Sequence, residues 1–239
     1  MTTTETIDLH GDLRVSIGEI CARFPDAYWR QLDQERAYPE DFVRELTRAG
    51  YLAALIPAEY GGAGLGITEA AVILEEINRC GANAGACHAQ MYIMGSLLRH
   101  GSDAQKRAYL PGIADGTLRL QAFGVSEPTT GSDTTQLKTM AVREGESYVV
   151  HGQKVWISRA EHSDLMLLMV RTTPVEQVKK RTDGLSMLLV DMREAVGHGL
   201  TIRPIRTMMN HATTELFFDD LEVPADTLVG EEGLSLIHI

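Results

Sequence analysis

Two segments carry the residue types best suited to chemistry. The first is Phe123-Gly124-Val125-Ser126-Glu127-Pro128-Thr129-Thr130-Gly131-Ser132-Asp133, where β-formers run into Glu-Pro and then into small hydroxyl residues around Gly131. Glycine removes the side-chain obstacle, so such a loop brings backbone amides and hydroxyls close to a planar polar ring or a phosphate. A Pro-Thr-Gly turn leaving a strand fits the same letters. The second is Lys154-Val155-Trp156-Ile157-Ser158. An indole beside a small hydroxyl residue at a strand end covers one face of an aromatic cofactor and offers a hydrogen bond at its edge; a core tryptophan is the plainer alternative. The cluster Gly61-Gly62-Ala63-Gly64-Leu65-Gly66 suggests a nucleotide loop, but GxGxxG needs glycine where Ile67 stands and a strand-to-helix crossover. A tight interhelical loop is expected there. Cys80, Cys87 and His88 match no common zinc spacing, so no metal is expected.

These segments need elements to position them. Up to about Leu118, apolar residues recur at helical spacing. Phe42, Val43, Leu46 and Ala49 share a face between Pro39 and the stop signal Gly50, and Ile67, Ala70, Ala71, Leu74 and Ile77 predict a second. Ser102-Asp103-Ala104-Gln105 reads as a capping box. From Leu120 β-formers dominate, and strands are predicted over 120–125, 137–143, 148–158, 165–171, 185–190, 200–204 and 213–218, with Glu144-Gly145-Glu146-Ser147 as a turn. Strands without intervening helices point to an antiparallel barrel or sandwich. The expected fold class is therefore α+β: a helical domain over 1–118 and a β domain over 119–230, with 231–239 as an ending.

Composition narrows the function classes. The chain has 239 residues, 44% hydrophobic and 23% charged, which requires a real core and excludes wholesale disorder. Acids outnumber bases 33 to 22, spread over both halves, so the clustered positive charge that a nucleic-acid partner requires is missing. Three cysteines without a CxxC pair suit free thiols in a reducing compartment. The first dozen residues contain neither arginine nor lysine and no apolar core, unlike a secretory signal. The longest apolar run, Leu165 to Val170, falls far short of the roughly 20 residues that span a bilayer. A cytoplasmic protein is expected.

In this order and spacing, GVSEPTTGSD and KVWIS resemble the acyl-CoA dehydrogenase family. Pro57-Ala58-Glu59-Tyr60-Gly61-Gly62, the helix from Ser102 to Pro111 and the late run Glu215-Leu216-Phe217-Phe218-Asp219-Asp220-Leu221-Glu222-Val223-Pro224 also stand where that family has counterparts. The resemblance extends from about residue 12 to Gly233.

The resemblance implies that 119–230 binds FAD. Phe123, Val125 and Ser126 would meet the isoalloxazine through main-chain groups and the serine hydroxyl. Gly131 and Ser132 would lie where the family binds the FAD phosphate and the substrate's pantetheine arm. Trp156 would pack against the ring, with the Ile157 amide and Ser158 hydroxyl near its reactive edge. Such donors stabilise negative charge on the reduced ring. The family usually has a small residue at the places of Thr130 and Gln136 and threonines at those of Ser126 and Ser158, so hydroxyls are kept while the loop differs. The helix with Ala84, Gly85, Ala86, Cys87, His88 and Met91 resembles the one lining the family's acyl channel, with His88 a candidate substrate contact and the small residues leaving room for a long or branched chain.

The implied reaction is α,β-dehydrogenation of an acyl-CoA thioester to a trans-2-enoyl-CoA, with electrons passed to electron-transferring flavoprotein by a homo-oligomer, a dimer or tetramer. An acyl-CoA oxidase or flavin monooxygenase on the same scaffold, or a non-catalytic fragment, is the alternative. The family's catalytic glutamate lies in a C-terminal helical bundle beyond Gly230-Glu231-Glu232-Gly233, so no residue here is assigned as the base. The ending Leu234-Ser235-Leu236-Ile237-His238-Ile239 departs from the family and looks like a translated sequencing-library transposon end, which suggests an artificial truncation.

Overall fold

The computed structural model describes residues 10–208 and 212–233. The ending 234–239, expected to be foreign, lies outside the described residues. Six helices come first: α1 (Gly11–Cys21), α2 (Asp26–Glu35), α3 (Glu40–Arg48), α4 (Ile67–Arg79), α5 (Gly85–His100) and α6 (Asp103–Asp115). Seven strands follow: β1 (Leu120–Gly124), β2 (Met140–Glu144), β3 (Ser147–Ser158), β4 (Leu165–Arg171), β5 (Leu185–Asp191), β6 (Leu200–Pro204) and β7 (Thr213–Pro224).

Phe42, Val43 and Leu46 of α3 are buried as their spacing predicts. On α4 the buried face is offset from the expected one: Ala70, Val72, Ile73, Glu76 and Ile77 point inward, while Ile67 is 75% exposed. Glu76 explains the offset. It is fully buried and takes hydrogen bonds from Arg79 at 2.5 and 2.8 Å and from Arg14 of α1 at 3.4 Å, so a charged residue occupies a position that an apolar stripe assigns to solvent. Arg79 and the other donors hold its carboxyl down to about 2 against the opposing effect of burial. The glycine cluster folds back on its own half: the amides of Ala63, Gly64 and Leu65 donate to the carbonyls of Ala53, Ile56 and Ala54.

The capping box is present, with reciprocal bonds between Ser102 and Gln105 at 3.0 and 3.1 Å. Gln105 also donates its amide to the carbonyls of Asp226 and Leu228, tying α6 to the segment after β7.

The strands form one curled sheet in the order β1-β4-β2-β3-β7-β6, with β5 on β4. The sheet is mixed: β1 and β4 run parallel, where antiparallel pairing alone was expected. The connection from β1 to β4 is the β2–β3 hairpin rather than a helix, so strand spacing conceals the crossover. All seven residues of β4 are buried, as in a parallel strand covered on both faces. Leu165, Leu167 and Met169 pack with Ile93, Met94 and Leu97 of α5, whereas Met166, Leu168 and Val170 face the interior of the curl with Tyr148 and Phe218. One core therefore fuses the helices to the sheet.

Two strand boundaries differ from expectation by more than one residue. β2 begins at Met140 because the amides of Lys138 and Thr139 donate to the Glu127 carboxylate instead of a neighbouring strand. β7 continues past Phe218 to Pro224 by absorbing the two aspartates in a bulge, with Asp220 at φ 53. Opposite it, Gly152 has φ 147, and a methyl there would lie 2.6 Å from the Thr139 hydroxyl.

Candidate functional site

The two chemistry-bearing segments meet. β1 ends at Gly124, and the chain turns through Glu127 and Thr130, whose backbones exchange hydrogen bonds of 2.8 and 3.0 Å. The Val155 amide donates to the Ser126 carbonyl at 2.8 Å, which sets Ser126 beside Trp156 in the chain path. Beneath this contact lies a buried ion pair. Lys154 Nζ lies 2.9 Å from Glu127 Oε1, with side chains 0% and 4% exposed.

The pair is fully dressed. Lys154 also donates to the Val125 carbonyl at 3.1 Å, and Glu127 accepts from the amides of Lys138 and Thr139 and from the Thr139 hydroxyl. Burial pushes the Lys154 ammonium down to about 8 against the attraction of Glu127. Burial alone would raise the Glu127 carboxyl, but the Lys154 charge and the Thr139 hydrogen bonds hold it below its ordinary value. A carboxylate with four donors is the form these contacts stabilise. Glu127 is thus a structural carboxylate, held by four donors where the strand passes into the turn.

Above the ion pair β3 bulges between Lys154 and Ile157, and Trp156 adopts φ 63. Its side chain is 63% exposed. A bulky residue in the left-handed region costs about 1–2 kcal/mol, and an exposed indole recovers little of that by burial. Such an outlier marks a functional position more readily than a packing one. The core-tryptophan alternative does not describe this residue. Ile157 is buried on the sheet's inner side, and Ser158 is exposed.

Phe123, Val125 and Ser126 are half-buried along the same edge. Facing them is α5, where the His88 and Tyr92 rings lie 4.7 Å apart and Tyr92 meets Phe123 edge-on at 6.1 Å. His88 therefore belongs to this neighbourhood. The small residues Ala84, Ala86 and Cys87, together with Met91, do not line it: they are buried in the helical core, where their size lets helices approach. Gly131 and Ser132 sit exposed on the loop after Thr130, and a methyl on Gly131 would meet nothing within 4 Å. Thr130 itself is buried.

The residues present suit an isoalloxazine. The ring needs an apolar face and hydrogen bonds at a polar edge, and here an exposed indole lies near in the chain path to Ser126 and Ser158, whose hydroxyls have no partner among the described residues. Among the described residues no group of three or more His, Cys, Asp or Glu could hold a metal, and no helix is long and apolar enough to cross a membrane.

Comparison with known proteins agrees with this geometry. Residues 8–117 match the acyl-CoA dehydrogenase N-terminal domain and residues 122–221 the acyl-CoA dehydrogenase middle domain. The chain belongs to the acyl-CoA dehydrogenase family. Its relatives include cyclohex-1-ene-1-carbonyl-CoA dehydrogenase of Syntrophus aciditrophicus, 36% identical over 87% of this chain and 50% of that protein. Acyl-CoA dehydrogenase FadE26 of Mycobacterium tuberculosis is 35% identical over 80% of this chain and 46% of that protein. The acyl-CoA dehydrogenase crystal structure from Geobacillus kaustophilus superimposes with a TM-score of 0.88 at 28% identity, covering 99% of this chain and 62% of that one. The chain thus spans about half the length of the curated relatives it matches.

Within this acyl-CoA dehydrogenase fold, sequence reasoning missed three residues near the site. Lys154 was detectable as a lysine inside an apolar strand. Tyr92 lies one helical turn from His88. Arg159, directly after Ser158, gave no signal, because its burial depends on helices far away in sequence.

Proposed function

We propose that this chain is the flavin-binding part of an enzyme catalysing FAD-dependent α,β-dehydrogenation of an acyl-CoA thioester to a trans-2-enoyl-CoA. The observation that carries the reading is Trp156, exposed at φ 63 and anchored beside Ser126 by a buried ion pair. When bound, FAD supplies the two-electron acceptor. Phe123, Val125, Trp156 and Ile157 present an apolar and main-chain surface to its ring, and the Ser126 and Ser158 hydroxyls hydrogen-bond its polar edge. Fixed donors of this kind need no reorganisation as charge develops. Gly131 and Ser132 offer an unobstructed loop to a phosphate or to the pantetheine arm, with Ser132 a substrate contact. His88 and Tyr92 border the acyl group.

No residue of this chain is proposed as the base, because none of the site's carboxylates is free: Glu127 is held by Lys154, Lys138 and Thr139. In the proposed assembly a homo-oligomer passes electrons to electron-transferring flavoprotein in the cytoplasm. The test is to purify the full-length protein and titrate its bound yellow flavin anaerobically with acyl-CoAs of graded length. Bleaching supports the reading, and no bleaching with any acyl-CoA removes it. Reoxidation by oxygen as fast as by electron-transferring flavoprotein would favour an oxidase instead.

A further inference from the structure

A cavity of about 290 Å³ lies between α2, the turn joining α4 to α5, and the loop after β3. Arg159, Tyr38, Asn83 and His162 supply its polar wall, and Trp29 and Pro39 part of its apolar wall. Arg159 is the unusual member. It is 4% exposed, adopts φ 63, and its backbone amide donates to the Ala212 carbonyl at 2.8 Å. Its guanidinium makes no hydrogen bond and no ion pair among the described residues, and the titratable groups near its charge include Tyr38, Cys87 and His162, none of them a carboxylate.

Arg171 shows how the fold treats a buried arginine it uses for structure. It is 3% exposed and donates to the carbonyls of Thr135, Leu137, Thr173, Arg181 and Asp183. Every direction of its fork is occupied. Arg159 has the same burial and none of those acceptors. A buried guanidinium without acceptors is costly unless a ligand completes it.

The local potential points the same way. A methyl on Gly85 would lie 2.5 Å from the Arg159 guanidinium, so the cation is pressed against the first turn of α5. That end of a helix carries positive partial charge, which favours anions and disfavours cations. Two further polar groups of the wall, Tyr38 and Asn83, are left with donors to offer. The Tyr38 oxygen already accepts from Gln121 at 2.7 Å, leaving its proton to give, and Asn83 Oδ1 accepts from the Gly85 amide, leaving its amide nitrogen. The single lining carboxylate, Asp33, is exposed on α2 and forms no ion pair with Arg159.

We propose that this cavity receives a carboxylate carried at the distal end of the acyl group, held in the fork of Arg159, so that the enzyme acts on thioesters of dicarboxylic acids. The proposal rests on the acyl-CoA reading above. The route is short: Arg159 follows Ser158 directly, and α5 leads from Gly85 past His88 to Tyr92 and Phe123, a rise of about 10 Å. A planar guanidinium matches a carboxylate in two parallel hydrogen bonds, and replacing it by a methyl-ended chain leaves the charge unanswered.

The experiment uses the full-length flavin-loaded protein and matched pairs of thioesters: adipyl-CoA against hexanoyl-CoA, and suberyl-CoA against octanoyl-CoA. One carboxyl-ended member is expected to exceed its methyl-ended partner at least tenfold in kcat/KM and to raise Tm more at equal concentration. Arg159→Met is expected to abolish that preference while changing the methyl-ended reaction less than threefold, with Arg159→Lys in between. Equal use of both members by the natural protein overturns the proposal, even if Arg159→Met fails to fold. So does a variant that loses both activities in proportion. Turnover of hexanoyl-CoA without carboxyl preference defeats this inference alone; failure of every thioester to bleach the flavin defeats the acyl-CoA reading and this inference with it.

Discussion

Glu127→Gln tests whether the ion pair holds the two site segments together. The substitution keeps size and removes the charge that faces Lys154 Nζ at 2.9 Å. Lys154 then retains the Val125 carbonyl and an amide oxygen inside a site where its side chain is 0% exposed. Its cheapest response is to release its proton. Neutralising an ordinary lysine of pKa about 10.4 at pH 7 costs about 1.36 kcal/mol per unit, or about 5 kcal/mol in all, which caps the effect. Breaking a buried pair from one side costs about 3–5 kcal/mol, so the loss is expected within that range. The pH dependence has a definite sign. A lysine with a depressed folded pKa binds fewer protons folded than unfolded, so stability rises with pH between its folded and unfolded values. In the natural protein that rise begins near the Lys154 value of about 8; in the variant it begins below pH 7. The stability gap should therefore narrow by up to about 1.4 kcal/mol per unit between pH 7 and 8. Urea unfolding at pH 6, 7, 8 and 9 measures it. A gap independent of pH, or one below about 1 kcal/mol at pH 7, would refute the argument that a charged buried pair anchors the bulge.

The other predictions address separate parts of the molecule. Trp156→Gly relieves the left-handed conformation at φ 63, so thermal unfolding should show unchanged or raised stability, by up to about 1 kcal/mol, while fluorescence titration shows weakened flavin binding. Gln105→Ala removes the capping partner of Ser102 and two bonds to the segment after β7; a loss of about 2–3 kcal/mol is expected in chemical denaturation. Glu76, held down to about 2 by Arg79, contributes stability that is complete above its unfolded value and disappears as pH falls towards 2. Glu76→Gln should lower stability at pH 7 and flatten the acid-unfolding profile between pH 4.5 and 2, which circular dichroism at stepped pH would show.

The helical half was legible because its signals are local. The face of α3 and the Ser102 capping box are written in spacings of three and four residues, and the structure realises both. The α4 face was offset because Glu76 is buried between Arg79, three residues on, and Arg14 of another helix, and the second of these partners lies outside any local window. In the β half, strand positions were legible from residue type, but the parallel pairing of β1 with β4 was not. It depends on where a hairpin folds, and strand length and spacing are the same for either direction.

For the site, the sequence by itself determined which residue types stand in GVSEPTTGSD and KVWIS, and hence the chemistry they are able to offer. Tertiary structure decided that Ser126 and Trp156 are neighbours, that Glu127 and Lys154 neutralise each other beneath them, and that Arg159 is buried without an acceptor among the described residues. The physical reason is that charge and exposure are properties of an environment. A lysine, a tryptophan or an arginine carries its chemistry in its own atoms, but its pKa, strain and unmet hydrogen bonds come from groups that only the fold brings near.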